Sequence, residues 1–326
     1  MEQLGSIHAL ASAALFGMNI ATLRRGVLSG SVLQALSITV PAGVPLFALG
    51  CILFGAVDEF LGMSLKAWGW FSLAGVVHFV VGRYGSYRAT QALGGAQAAP
   101  ILQVILVVSL VLAIVFLDER LTVLSASGMV LIILGPIIIV RDAASKGEVR
   151  TRAGQRLNYV EGYFWGLVCA VGLGTNPILI RFGLGEGGIQ ESIAGGLVSY
   201  IAGTVGIILI LAIPGNFAHI RSLDRHTAGW FTLTGVLVFM SQILLYMALA
   251  LAPVSIVAAL QRTAVVFRVV FSWMLNRDHE VLGFSVLFGI GISALGVVAV
   301  TISVDMLQEL ISLPKPVADI LRLSWP

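Results

Sequence analysis

Apolar residues fill ten long blocks of this chain, near 6–26, 33–57, 67–93, 94–117 and 123–140, then 159–181, 190–213, 228–251, 253–275 and 281–303. A helix needs about 20 mostly apolar residues to cross a bilayer, so the pattern predicts ten spanning helices. Blocks three and four, and eight and nine, are parted only by Leu93–Gly95 and by Leu251–Pro253, short breaks of helix-stopping character. The one long polar stretch, RDAASKGEVRTRAGQRLN at 141–158, separates a first half (1–140) from a second (159–303). After it, residues 304–326 keep apolar side chains at helical spacing (Met306, Leu307, Leu310, Ile311, then Val317, Ile320, Leu321). Asp305, Glu309, Lys315, Asp319 and Arg322 interrupt them, which predicts an amphipathic tail lying in the interface.

The halves echo each other. FGMNIATLRRG (16–26) returns as LGTNPILIRFG (173–183), and WFSLAG (70–75) as WFTLTG (230–235). Tyr87–Arg88–Ala89 aligns with Tyr246–Met247–Ala248, and Glu119…Gly128…Gly135 with Glu280…Gly289…Gly296. Repeats of an odd number of spans enter the membrane from opposite sides. The expected fold is therefore an all-α integral membrane protein, ten transmembrane helices as two inverted five-helix repeats.

Composition agrees with lipid as the solvent. Of 326 residues 58% are hydrophobic and 11% charged, with a mean hydropathy of +0.99, far from the balance of a soluble domain. The formal charge of +3 is scattered among apolar runs, which argues against nucleic acid as a partner. Arg24, Arg25, the linker bases (Arg141, Lys146, Arg150, Arg152, Arg156), Arg221, Arg225 and Arg277 fall in loops on one side, whereas Asp58–Glu59 and Asp118–Glu119 fall on the other. The positive-inside rule then places the linker in the cytoplasm and both termini outside. Cys51 and Cys169 lie in apolar runs and read as packing residues. The N-terminus lacks a basic region before a cleavage site and reads as the first span.

These features resemble the EamA-type carriers of the drug/metabolite transporter superfamily. The likeness rests on the two five-span halves, the phrase FLDERLTVLSASGMVLIILG (116–135) and its echo LNRDHEVLGFSVLFGIGISALG (275–296). It implies a transporter with a central cavity between the halves and alternating access. A small-molecule substrate is expected, with no cofactor and no metal, in a bilayer expected to be a bacterial inner (cell) membrane. Relatives commonly keep both termini in the cytoplasm, and the charge count departs from that.

Polar side chains mark the candidate site. Spans two, five and ten hold few, and their spaced glycines suit close packing behind the site or between the subunits of a homodimer. Spans one, three, four, six, eight and nine carry Asn19, His78, Arg83, Tyr84, Tyr87, Arg88, Gln91, Gln103, Asn176, Gln242, Tyr246, Gln261, Arg262 and Arg268. At about 100° per residue, Arg83, Tyr87, Gln91, Tyr84 and Arg88 fall within about 140° of arc, and His78 sits about 140° from Arg83. No acidic residue lies within fifteen positions of Arg83 or Arg88. A lipid-facing arginine near the bilayer centre costs at least ~2.5–3.5 kcal/mol, so this face is expected to meet a cavity and an anion. Arg88 and Arg268, nearer helix ends, have snorkelling as an alternative. Asn19 and Asn176 have a bond to backbone as theirs, and Glu119 and Glu280 have helix capping.

Other chemistries fit less well. GLGEGG (183–188) follows a membrane helix rather than a strand, and His279–Glu280 lacks the second histidine of a zinc protease. No catalytic constellation is found, so the chain is not expected to be an enzyme. The expected function is a secondary active carrier of a small anionic or zwitterionic metabolite. A flippase for a phosphate-bearing lipid is one alternative. A proton-coupled exporter of drugs or cations is another, disfavoured because spans one, three, four, eight and nine hold no acid. His78 is the candidate for any protonation step.

Overall fold

In the computed structural model nearly every element is a helix. The structure describes residues 2–27, 30–93, 95–119, 121–145, 159–275, 284–301, 304–311 and 314–325. Most of the polar linker (146–158) and Glu280 lie outside them.

The first half comprises α1 (Glu2–Val27), α2 (Val32–Thr39), α3 (Gly43–Leu53), α4 (Val57–Leu61), α5 (Leu65–Gly75), a π-helical segment (Val76–Gly82), α6 (Arg83–Leu93), α7 (Gly95–Leu117) and α8 (Val123–Ser145). The second comprises α9 (Tyr159–Leu184), α10 (Ile189–Leu211), α11 (Asn216–Arg221), α12 (Arg225–Leu251), α13 (Val254–Gln261), α14 (Ala264–Leu275) and α15 (Phe284–Thr301). Short α16 (Val304–Ile311) and α17 (Lys315–Arg322) end the chain. Among the described residues, six segments are long and apolar enough to cross a membrane: Glu2–Leu23, Val32–Leu53, Leu65–Ser86, Val160–Leu184, Ile189–Leu211 and Arg225–Leu251.

Local chemistry sets the breaks. Pro41, which has no N–H, falls in the turn between α2 and α3. Ser31 and Gln34 form a reciprocal cap at the start of α2. Asp224 caps α12 by accepting the Thr227 N–H at 3.0 Å, and Thr227 holds its carboxyl below the usual carboxylate range. The loop ahead of α13 is capped from afar. Glu119 accepts the Val254 N–H at 2.6 Å and the Ser255 N–H at 2.8 Å, two donors that α13 itself leaves unused. The expected role of Glu119 as a cap is met on a different helix from the one it precedes.

Helices of one half pack mainly on helices of the other. α1 runs along α12 and α14, α9 along α5, α6 and α7, α10 against α3 and α5, and α8 along α15. Glycines allow the close approaches. Gly26 of α1 lies flat against Phe231 of α12, and Gly183 of α9 against Phe71 of α5, where a Cβ would meet the ring at 3.0 Å. Gly17 faces the α14 backbone and Gly174 faces α7. Gly75 abuts the Ser199 backbone, and Gly235 approaches Thr39 Cα. Residues that correspond between the halves in sequence therefore have corresponding neighbours.

The tail is docked more firmly than an interfacial helix alone would be. Strand β1 (Leu121–Thr122) pairs antiparallel with β2 (Ser324–Trp325), and the Val123 N–H donates to Leu323 O at 2.9 Å. Arg322 reaches Asp305 at 2.5 Å and Gln308 at 3.1 Å, tying α17 to α16.

Candidate functional site

Arg83 opens α6 immediately after the π-helical segment. Its N–H donates to the carbonyl of His78, five residues back. That wider winding brings residues five apart closer to one face than an α-helix would. His78 and Arg83 thus sit nearer one another around the axis than the separation of about 140° expected of a regular helix. The segment is pinned at both ends by glycines in close contact, Gly75 on the Ser199 backbone and Gly82 on Leu173 of α9.

Around this pair the chain collects polar groups in an aromatic setting. The Arg83 residue is 6% exposed; its guanidinium carbon sits 5.0 Å from the centre of the Phe79 ring, and its Nη2 has no hydrogen-bond partner. Tyr200 of α10, fully buried, is wedged between Phe79 and Phe47, with ring centres 4.3 and 4.9 Å apart. Its hydroxyl lies in electrostatic and hydrogen-bonding reach of Arg83, though no bond of full geometry closes on it. His78 faces Gln242 of α12, Nε2 to Nε2 at 3.4 Å. With the amide donating, that ring nitrogen accepts, while the buried Nδ1 has no hydrogen-bond partner. Tyr246, on the same face of α12 as Gln242, lies 6.1 Å from Phe47 and beside Ser199. The Ser199 hydroxyl donates to Phe71 O at 2.7 Å.

Unpaired buried donors are rare in folded proteins, because each forfeits its hydration. Arg83 Nη2 and the Tyr200 hydroxyl are two such groups side by side. An oxyanion between them would take one charge-assisted and one neutral hydrogen bond. Thr204, one turn beyond Tyr200 on α10, also has a buried hydroxyl without a partner.

The other expected residues divide. Arg262 falls at the break between α13 and α14; its Nε is buried without a hydrogen-bond partner, and its electrostatic neighbour is Cys169 of α9. Gln261 is used in packing, donating to Ala9 O at 3.3 Å. Arg268 belongs to the stretch of α14 against which Gly17 packs. Asn19 and Asn176 are both buried; Asn176 Oδ1 has no hydrogen-bond partner. Tyr84 leaves the arginine face, setting its ring edge-on to Trp165 at 5.2 Å with 37% exposure. The side chains of Tyr87, Gln91 and Gln103 lie outside the described residues.

Arg88 corrects an expectation. Its counter-charge comes from Glu161 at the start of α9, with which it forms an ion pair. That carboxylate is 73 residues away in sequence, so the absence of nearby acids misled. Tyr200, Ser199 and Thr204 were also missed. In GGLVSYIAGTVG they read as minor polar interruptions of an apolar span, and no charge drew attention to them.

Among the described residues, no group of three or more His, Cys, Asp or Glu side chains is placed to hold a metal. The sequence pattern of the EamA-like transporter family matches residues 3–141 and again 160–302. The chain belongs to the EamA-like transporter family. This EamA-like protein is accordingly a membrane transporter, and its polar cluster lies within helices of both matched regions. Among solved structures, 26 chains match. One, described only as a crystal structure of a protein, aligns over 91% of this chain and 96% of its own length. Its TM-score is 0.64 at 13% identity, a likeness of fold alone. No curated protein matches.

Proposed function

We propose that this EamA-like protein is a secondary active carrier of a small anionic or zwitterionic metabolite. It works by alternating access between two inverted five-helix halves that together make ten spans. One observation carries the anion: Arg83 is almost fully buried, and neither its Nη2 nor the Tyr200 hydroxyl within its reach closes a hydrogen bond of full geometry. A guanidinium in apolar surroundings needs a counter-charge, and Arg88, which has Glu161, shows how the fold supplies one elsewhere. A carboxylate, phosphate or sulfonate matches the two open donors, and the planar guanidinium suits such groups.

The inverted arrangement is supported by the matched neighbours of matched residues. Gly26 on Phe231 answers Gly183 on Phe71, and α1 on α12 answers α9 on α5 and α6. Exchange between two nearly equivalent arrangements of such an interface gives a site at its centre access to either side in turn. The basic linker, including Arg141 and Arg156, is assigned to the cytoplasm of a bacterial cell.

Uptake into liposomes containing the purified protein tests this reading. Radiolabelled succinate, inorganic phosphate, methanesulfonate and taurine are set against an organic cation, tetraphenylphosphonium, and against scrambling of a fluorescent phospholipid. Saturable uptake of at least one of the four anions or zwitterions is expected. Movement of the cation or the lipid with none of the four would overturn it.

A further inference from the structure

We propose that His78 is the proton-binding group of this carrier and that proton and anion travel together, the anion on Arg83 and the proton on the neighbouring imidazole. This rests on the anion-carrier reading above and adds its coupling ion.

The π-helical turn is what makes the pairing specific. The bond from the Arg83 N–H to His78 O marks the wider turn that brings the two side chains toward one side of the helix. Burial weighs most on His78, and Arg83 is the charged group that acts on it next. Among the described residues, the surroundings supply no carboxylate to the pair. From α10 comes Tyr200, neutral and hydrogen-bond capable; that helix's acid, Glu191, accepts the Gly188 N–H at the far end. From α12 come Gln242 and Tyr246. From α9 the neighbours at Gly172 and Leu173 carry no charge; its Glu161 is engaged with Arg88 and its Arg181 with Leu249 O. With the anion site empty, a proton on His78 would face an uncompensated guanidinium across a poorly polarisable interior. With an oxyanion on Arg83 the same proton faces a neutral pair. Each ligand therefore favours the other, and by linkage the effect is equal in both directions.

His78 is equipped to change state. Its Nδ1 is buried without a hydrogen-bond partner, and its Nε2 meets a primary amide. While the ring is neutral, the Gln242 amide donates to Nε2. Once both ring nitrogens carry hydrogen, the amide turns over and offers its oxygen instead. The chemistry balances without another reactant: water on one side supplies a proton to the imidazole, and water on the other side takes it back.

The test uses the purified full chain in liposomes enclosing a pH-sensitive dye, with radiolabelled methanesulfonate, succinate and taurine as probes and protein-free liposomes subtracted. With the outside one pH unit more acid, one-to-one coupling drives about tenfold accumulation of methanesulfonate, with matching acidification inside. His78→Gln should abolish accumulation. A second measurement needs no variant. Unbuffered, detergent-solubilised wild type at pH 7 should take up about one proton when saturated with a transported probe. Wild-type flux without proton uptake, zero protons on binding, or full accumulation by His78→Gln each overturns the coupling and leaves the anion site standing. Absence of flux for every probe overturns the anion reading and this inference with it.

Discussion

Arg88 of α6 and Glu161 of α9 form an ion pair that joins the end of the third apolar block to the start of the sixth. Both side chains are about one-third exposed, 38% and 31%, so screening limits the pair to about 0.5–1 kcal/mol. Single variants Arg88→Gln and Glu161→Gln should each lower the unfolding midpoint, and the double variant should lower it by less than their sum. A thermal double-mutant cycle in detergent measures this. Additive effects would mean that the pair carries no coupling.

Arg83 and Tyr200 should behave differently from that pair, because their worth lies in the ligand. Arg83→Gln should weaken binding of the transported anion roughly 10- to 100-fold, the value of a charge-assisted hydrogen bond. Arg83→Lys should recover part, returning charge without the planar fork. Tyr200→Phe should cost about 2- to 10-fold, the value of a neutral bond. Equilibrium binding beside thermal unfolding separates site from scaffold. Wild-type affinity in a folded Arg83→Gln protein would remove Arg83 from the site.

Glu119 should matter for stability rather than transport chemistry. Its two carboxylate oxygens hold the first free N–H groups of α13, so Glu119→Ala should cost about 1–2 kcal/mol. Glu119→Gln, with one acceptor oxygen and no charge, should fall between. Chemical unfolding in mild detergent reads the order of the three proteins.

The two glycine–phenylalanine contacts rank themselves. At Gly183 a methyl would press the Phe71 ring at 3.0 Å, whereas at Gly26 it would overlap Phe231 more deeply. Both rings are fully buried and have little room to retreat. Gly26→Ala should therefore destabilise more than Gly183→Ala, with about 1–3 kcal/mol expected for the first. Equal loss from both would contradict the depth of contact.

Linker orientation is checked by a cysteine at Ala153. Cys51 and Cys169 are buried, so background labelling is low. An impermeant thiol reagent should label Ala153→Cys only after the membrane is opened. Labelling in intact cells would place the linker outside.

The helical blocks were legible because lipid demands long apolar runs, and α1, α9, α10 and α12 follow them closely. Arg83 stood out for the same reason, as a charge where none is tolerated without purpose. The π turn was not legible: in VVHFVVG nearly every position is apolar, so periodicity carries no phase and the winding is free to change unseen. Glu161 escaped because contact across 73 residues leaves no local pattern. Tyr200 escaped because a phenol among apolar neighbours reads as packing until its buried hydroxyl is seen beside Arg83.

The packing of α1 on α12 has a consequence for how the protein is made. Ser12 and Ser241 are joined through hydroxyl-to-carbonyl bonds of 2.6 and 2.9 Å made in both directions, across 229 positions. At about 5–20 residues per second, the ribosome needs roughly ten to fifty seconds to supply the second serine after the first. During that interval the first helix is inserted with its close-packing glycines and Ser12 still waiting for their partner. The newborn first half is then the stage most dependent on the insertion machinery, and the most exposed to quality-control proteolysis if synthesis stalls before α12.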